Sequence, residues 1–197
     1  MRLGLFGGTF DPPHAGHLIV AQDAWQRLGL ERVIFIPAAV PPHKQNREVS
    51  PAQVRLAMLR EATAGDERFA VDDLEVRRGG PSFTVDSLRA YREKAPDAEL
   101  FLILGTDQYA ELHTWRESEE LKRLATLAVM GRGDAEPVEP GERVVPLPVT
   151  RIDISATEIR RRVAAREPIR YLVPPGVEAL IARHQLYTRR AAERRSG

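Results

Sequence analysis

At 197 residues the chain has the length of one domain and can build a core without covalent staples. Hydrophobic residues make up 43% and charged residues 29%, and 29 basic against 28 acidic side chains leave a formal charge of +1, which lacks the basic excess of a general nucleic-acid binder. There is no cysteine, which excludes disulfides, thiol catalysis and cysteine-held metal centres, and no apolar run approaches the ~18 residues of a membrane-crossing helix.

Along the chain, short apolar runs alternate with amphipathic stretches. Residues 1–6 are apolar for too short a span to read as a leader, and glycines and Asp11 follow at once. Residues 3–6, 33–36, 100–104 and 127–130 are apolar runs without polar alternation, as expected of parallel strands covered on both faces. Leu18, Ala21, Trp25 and Leu28 share one helical face, and Gly29 stands where that helix should stop. Ser50-Pro51-Ala52-Gln53 predicts a helix from 51 to about 64, with Ser50 as its cap and Gly65 as its end. Residues 84–94, 155–165 and 177–184 read as further helices. The segment 37–49, with its prolines, reads as a loop, 131–148 as a surface excursion, and the charged tail 189–197 as mobile. Strand and helix in alternation predict a doubly wound α/β fold over residues 1–188, largely helical from about 155.

Chemistry-bearing residues are densest in Gly7-Gly8-Thr9-Phe10-Asp11-Pro12-Pro13-His14-Ala15-Gly16-His17, which leaves the first strand and opens the first helix. In an open α/β sheet that is where ligands collect. Gly7 and Gly8 allow close backbone approach, His14 and His17 share one helical face, and a helix start offers N–H groups to a polyphosphate. A second anchor is Ser155-Ala156-Thr157-Glu158-Ile159-Arg160, which reads as a capping box with Ser155 at the cap and Glu158 three residues on. Arg160 lies near the positive end of that helix, a cost unless an anion is close, and it can share a phosphate with Thr157. A solvated basic face accounts equally well for Arg161 and Arg162. Asp72, Asp73, Glu75 and Asp86 read as solvated turn and helix-start positions, and no protein-bound metal is expected.

These residues, with Pro41-Pro42-His43-Lys44, Pro81-Ser82-Phe83-Thr84-Val85-Asp86, Gly105-Thr106-Asp107 and Trp115-Arg116, resemble the bacterial nicotinate-mononucleotide adenylyltransferases of the HxGH nucleotidyltransferase superfamily nearly end to end. The resemblance implies a Rossmann-like fold and a cytoplasmic enzyme of NAD biosynthesis. Its reaction would join ATP and nicotinate mononucleotide into deamido-NAD and pyrophosphate, with Mg²⁺ carried by the ATP and no nucleic-acid or membrane partner. It implies ATP contacts at Gly7, Gly8, Thr9, Phe10, His14, His17, Gly105, Asp107, Ser155, Thr157 and Arg160, of which His14, His17 and Arg160 are catalytic. It implies mononucleotide contacts at His43, Lys44, Phe83, Thr84, Val85, Asp107, Trp115 and Arg116. Phe83 stands where tyrosine is common in the family, and Ala156 where serine is frequent. Three other readings stay open: a sibling transferase for nicotinamide mononucleotide, phosphopantetheine or a cytidylyl substrate; a nucleotide-binding sensor without catalysis; and a transfer-RNA synthetase fragment. The oligomeric state is not legible.

Overall fold

The computed structural model describes residues 1–40, 49–131 and 139–188. The expectations for His43 and Lys44 and for the tail 189–197 lie outside the described residues, as does part of the loop and of the surface excursion.

The strands are β1 (Arg2–Gly8), β2 (Arg32–Pro37), β3 (Phe69–Val71), β4 (Glu99–Gly105), β5 (Thr126–Met130) and β6 (Val144–Leu147). They form one sheet in the order β3-β2-β1-β4-β5-β6, with every described pairing parallel. The helices between them are α1 (Ala15–Leu28), α2 (Ala52–Thr63), α3 (Leu74–Arg78), α4 (Thr84–Lys94), α5 (Thr106–Ala110) and α6 (Ser118–Leu124), with a 3-10 turn at Leu112–Thr114, and α7 (Ala156–Ala164) and α8 (Pro175–Arg183) follow the sheet.

The unalternating apolar runs follow from this layering. Successive strand residues point to opposite faces, and both faces are covered. Leu3, Leu5, Leu100, Leu102, Leu104, Leu127 and Val129 pack on one side with Val85 and Leu88 of α4 and Leu121 of α6. Phe6, Val33, Phe35, Phe101, Ile103, Ala128 and Met130 pack on the other with Ala21 and Ala24 of α1 and Leu59 of α2. A third cluster joins Met58 of α2, Ile159 of α7 and Val177 and Ile181 of α8, so the helical end of the chain is docked through α2. Full burial of each Leu, Val, Ile, Phe or Met among these is worth roughly 1.5–3 kcal/mol.

The structure corrects two local expectations. β3 and β6, short edge strands, have too little periodicity to stand out, and β6 lies within the segment read as a surface excursion. Ser50 does not cap α2: Pro51 holds the cap position, without a side-chain bond, and Ser50 is buried with its backbone bonded elsewhere. Gly29 ends α1 as expected, at φ 57°.

Candidate active site

The sheet order reverses direction between β1 and β4, and a crevice opens beyond the carboxyl ends of strands at such a switch point. Here it is a cavity of about 1090 Å³, just above the usual range for small-ligand pockets. Its lining includes Gly7, Gly8, Thr9, Phe10, His14 and His17 after β1, and Ser155, Thr157 and Arg160 of the α7 start. Phe83, Thr84, Trp115 and Arg116 line it as well.

His14 is the cap residue of α1, in extended conformation (φ −146°), and His17 sits one turn on. Their rings stack with centroids 3.7 Å apart. The His14 N–H donates to His17 Nδ1 at 3.1 Å. With its Nδ1 lone pair used, the neutral His17 ring carries its proton on Nε2 and so acts as a donor. Phe10, buried and at φ 50°, sets its ring edge-on to His17 with centroids 5.0 Å apart.

The two glycines after β1 differ in use. A Cβ on Gly8 would come within 2.9 Å of the Phe10 ring, so the room that Gly8 frees is taken by Phe10. A Cβ on Gly7 would meet nothing within 4 Å, and Gly7 is the one that leaves backbone open toward the cavity.

The late anchor reaches the early one directly. Arg160 Nη1 donates to the Asp11 carbonyl at 2.8 Å, and Nη2 donates to Thr157 Oγ1 at 3.2 Å. Ser155 caps α7, its Oγ accepting from the Glu158 N–H. The second half of the expected capping box is absent: the Glu158 carboxylate turns instead to Arg161 and Arg162, and Arg161 also pairs with Glu167. These arginines are braces rather than a bare basic face. The paired guanidiniums, Arg161 first, hold the Glu158 carboxyl down from 4.5 to about 2.

Asp11 is a junction that sequence reasoning missed. Its carboxylate accepts from the Ser50 N–H at 3.0 Å and from the Tyr187 hydroxyl, beyond α8. Burial, ahead of the Asp11 charge, pushes the Tyr187 pKa up. Beside it Arg55, 1% exposed, spends its fork on three carbonyls: Ser50 at 2.8 Å, Thr9 at 2.8 Å and Ala39 at 3.0 Å. Burial lowers the Arg55 pKa, opposed by Asp11. A signal existed in the sequence: Arg55 falls on the same helical face as Met58 and Leu59, where a solvated arginine would not belong.

The other half of the cleft is built on rings and ion pairs. Phe83 precedes α4, which begins at Thr84 without a side-chain cap. The Arg116 guanidinium lies 4.8 Å from the Phe83 ring centre and 3.9 Å from Asp86 of α4. Glu117 pairs with Arg116 and with Arg89, tying the segment after the 3-10 turn to α4. Trp115 is half-buried, packed against the core on one side and lining the cavity on the other.

Not every candidate residue lines the cavity. The Val85 side chain is in the core, 1% exposed. Gly105 and Asp107 stand at the end of β4 and the start of α5, beside the cleft, while Gln108 and Glu111 of that segment face it. Glu75 is 6% exposed, against the expectation of a solvated position, because α3 turns it inward onto Ser87.

Comparison with known proteins gives these residues a context. Residues 5–162 match the model of the cytidylyltransferase-like family. A Thermus thermophilus protein named "Probable nicotinate-nucleotide adenylyltransferase" is 49% identical over 187 residues, spanning 95% of this chain and 100% of that protein. A Thermomicrobium roseum protein of the same name is 47% identical over 196 residues, spanning 94% and 91%. The solved Plasmodium falciparum nicotinic acid mononucleotide adenylyltransferase complexed with NaAD shares the fold, with a TM-score of 0.78 at 17% identity over 94% of this chain and 97% of that one. Among the described residues no helix is long and apolar enough to cross a membrane. Identity at this level, sustained across nearly the whole length of bacterial relatives, means that the chain belongs to the nicotinate-nucleotide adenylyltransferases, nucleotidyltransferases of the cytidylyltransferase-like family.

Proposed function

We infer that the protein transfers the adenylyl group of ATP to nicotinate mononucleotide, giving deamido-NAD and pyrophosphate in NAD biosynthesis. The observation that carries the reading is the bond from Arg160 to the Asp11 carbonyl, which brings the starts of α1 and α7 to one cleft.

The reaction suits such a site. The attacking group is a phosphate oxygen already ionised, so the protein supplies no nucleophile and no strong base. It has to hold two polyanions in line and stabilise charge on the α-phosphate and the departing pyrophosphate. His17 Nε2, His14 and the Arg160 guanidinium are the donors assigned to that task, with the Gly7–Phe10 backbone along the ATP. Ser155 and Thr157 stand with Arg160 at the β- and γ-phosphates. No covalent intermediate forms: the mononucleotide phosphate oxygen bonds to the α-phosphorus as the bond to the β-phosphate oxygen breaks. Among the described residues no three His, Asp or Glu side chains gather as metal ligands, and Mg²⁺ is read as part of the Mg·ATP substrate.

The Phe83 and Trp115 half is assigned to the pyridine ring, with backbone N–H groups at Val85 and Arg116 meeting the carboxylate. Two donors welcome a carboxylate and leave the amide NH₂ of nicotinamide without an acceptor, a mismatch that is penalised strongly. His43 and Lys44 are assigned to the mononucleotide phosphate, and Gly105 and Asp107 to the nucleotide sugars. The same reading makes the enzyme cytoplasmic.

Pyrophosphate release on mixing the protein with Mg·ATP and nicotinate mononucleotide is the test. Turnover with the acid well above that with nicotinamide mononucleotide is expected. Preference for the amide overturns the substrate assignment, and no release with either overturns the reaction.

A further inference from the structure

Glu75 has a place in the cleft and no part in the chemistry above. It lines the same cavity as Phe83, Thr84 and Trp115. A buried carboxylate persists only when its oxygens are satisfied. Ser87 Oγ donates to Glu75 Oε1 at 2.6 Å, and Ser82 is near enough to favour the ionised carboxylate. Both serines are buried, at 3% and 9% exposure. Arg78 of α3 and Asp86 of α4 are the charged groups that act on it.

The bonds connect three separate segments. Ser87 lies in α4, and Ser82 in the stretch that leads into it. Ser82 Oγ also accepts from the Ala39 N–H at 2.8 Å, and the Ser82 N–H donates to the Val40 carbonyl at 3.0 Å. Glu75 therefore bonds α3 to α4 through Ser87, next to the Ser82 bonds that fix the chain leaving β2. The start of α4 carries Phe83 and Thr84, and the chain leaving β2 runs on toward His43 and Lys44.

We propose that Glu75 is a positioning residue for the mononucleotide: through Ser87 it sets where α4 lies, and thereby the shape of the acceptor pocket, without bearing on the triphosphate. This rests on the assignment of the Phe83 and Trp115 half to nicotinate mononucleotide. Taking away the carboxylate leaves the buried Ser87 hydroxyl without its acceptor, and the pocket wall that carries it is free to shift.

The experiment compares Glu75→Ala, Glu75→Gln and Ser87→Ala with the wild type in the full chain. It measures kcat and both KM values by pyrophosphate release, and nicotinate mononucleotide binding without ATP by tryptophan fluorescence. Glu75→Ala is expected to raise the mononucleotide KM by ~10-fold, the loss of about one buried hydrogen bond, while the ATP KM stays within ~2-fold. Ser87→Ala should shift the same constant by ~3-fold, and Glu75→Gln, whose amide still bonds hydroxyls, should stay close to wild type. Equal rises in both KM values, or a fall in melting temperature with no KM split, overturns the proposal. If Glu75→Ala does not fold, the split in Ser87→Ala decides. If the wild type binds no nicotinate mononucleotide, the pocket assignment falls and takes the proposal with it. If the wild type binds it and Glu75→Ala binds it equally well, the proposal alone falls.

Discussion

On the side of the cleft assigned to the triphosphate, the parts are held by buried charge. Arg55 grips three carbonyls, Asp11 takes Ser50 and Tyr187, and Arg160 reaches the Asp11 backbone. On the pyridine side, apart from the Glu75–Ser87 bond, the parts are held by rings and half-exposed ion pairs: Arg116 over Phe83, and Glu117 between Arg116 and Arg89. The difference follows from the tasks. Donors that stabilise a transition state must already stand at the right spacing, since reorganising them during the reaction would cost the rate. A flat ring is recognised by stacking, which tolerates small displacements, and exposed ion pairs hold it only loosely. On the proposed assignments, one half serves chemistry and the other discrimination.

Breaking the buried clamp gives the largest expected effect. Arg55→Ala should cost about 3–5 kcal/mol of stability, as removal of one member of a buried charged network does. Arg55→Lys should not restore it, because a point charge cannot serve three carbonyls in a fork. Denaturant unfolding measures both, and an unchanged midpoint for Arg55→Ala would show that the triphosphate side stands without this clamp.

His17→Ala should lower kcat by about 10²- to 10³-fold, the effect of losing one preorganised donor, with much less change in melting temperature. Parallel loss of turnover and stability would make His17 a structural residue and erase the contrast between the halves. Trp115→Ala should weaken mononucleotide binding by ~1–3 kcal/mol, the worth of one ring stack, with ATP affinity kept. Unaltered mononucleotide affinity would move the ring elsewhere.

The smallest effect is one of acidity, at the edge of the triphosphate side. The Glu158 carboxyl is held from 4.5 down to about 2 by Arg161 and then Arg162. A depressed folded-state pKa adds stability above the ordinary carboxylate pKa and loses it as pH falls from there toward about 2. The site is exposed and screened by solvent, so the gain is slight. Melting curves of wild type and Glu158→Gln should converge as the pH drops through this range and separate above it. Curves that stay parallel would exclude the brace.

The β1–α1 junction was legible because its chemistry is contiguous: two glycines, two histidines and a helix start fall within eleven positions. The apolar runs of β1, β2, β4 and β5 were legible because burial on both faces removes alternation, and the edge strands β3 and β6 were not because they are short. Arg161 and Arg162 read as a basic face, since local sequence does not say which carboxylate a guanidinium will find. Glu75 read as solvated because its partner, Ser87, is brought to it by a turn of the chain that α3 and α4 define only once packed.

The amino-acid sequence by itself determined the alternation of elements, the glycine- and histidine-bearing loop after the first strand and the capped helix that carries Arg160, because these depend on neighbours within a few residues. Only the tertiary structure decided that Asp11 lies under Arg160 and beside Tyr187, that a Cβ on Gly8 would meet the Phe10 ring, and that Arg55 and Glu75 face inward. Those outcomes rest on contacts between segments far apart along the chain, where a polar group's fate is set by which partner the packed core brings within hydrogen-bond reach.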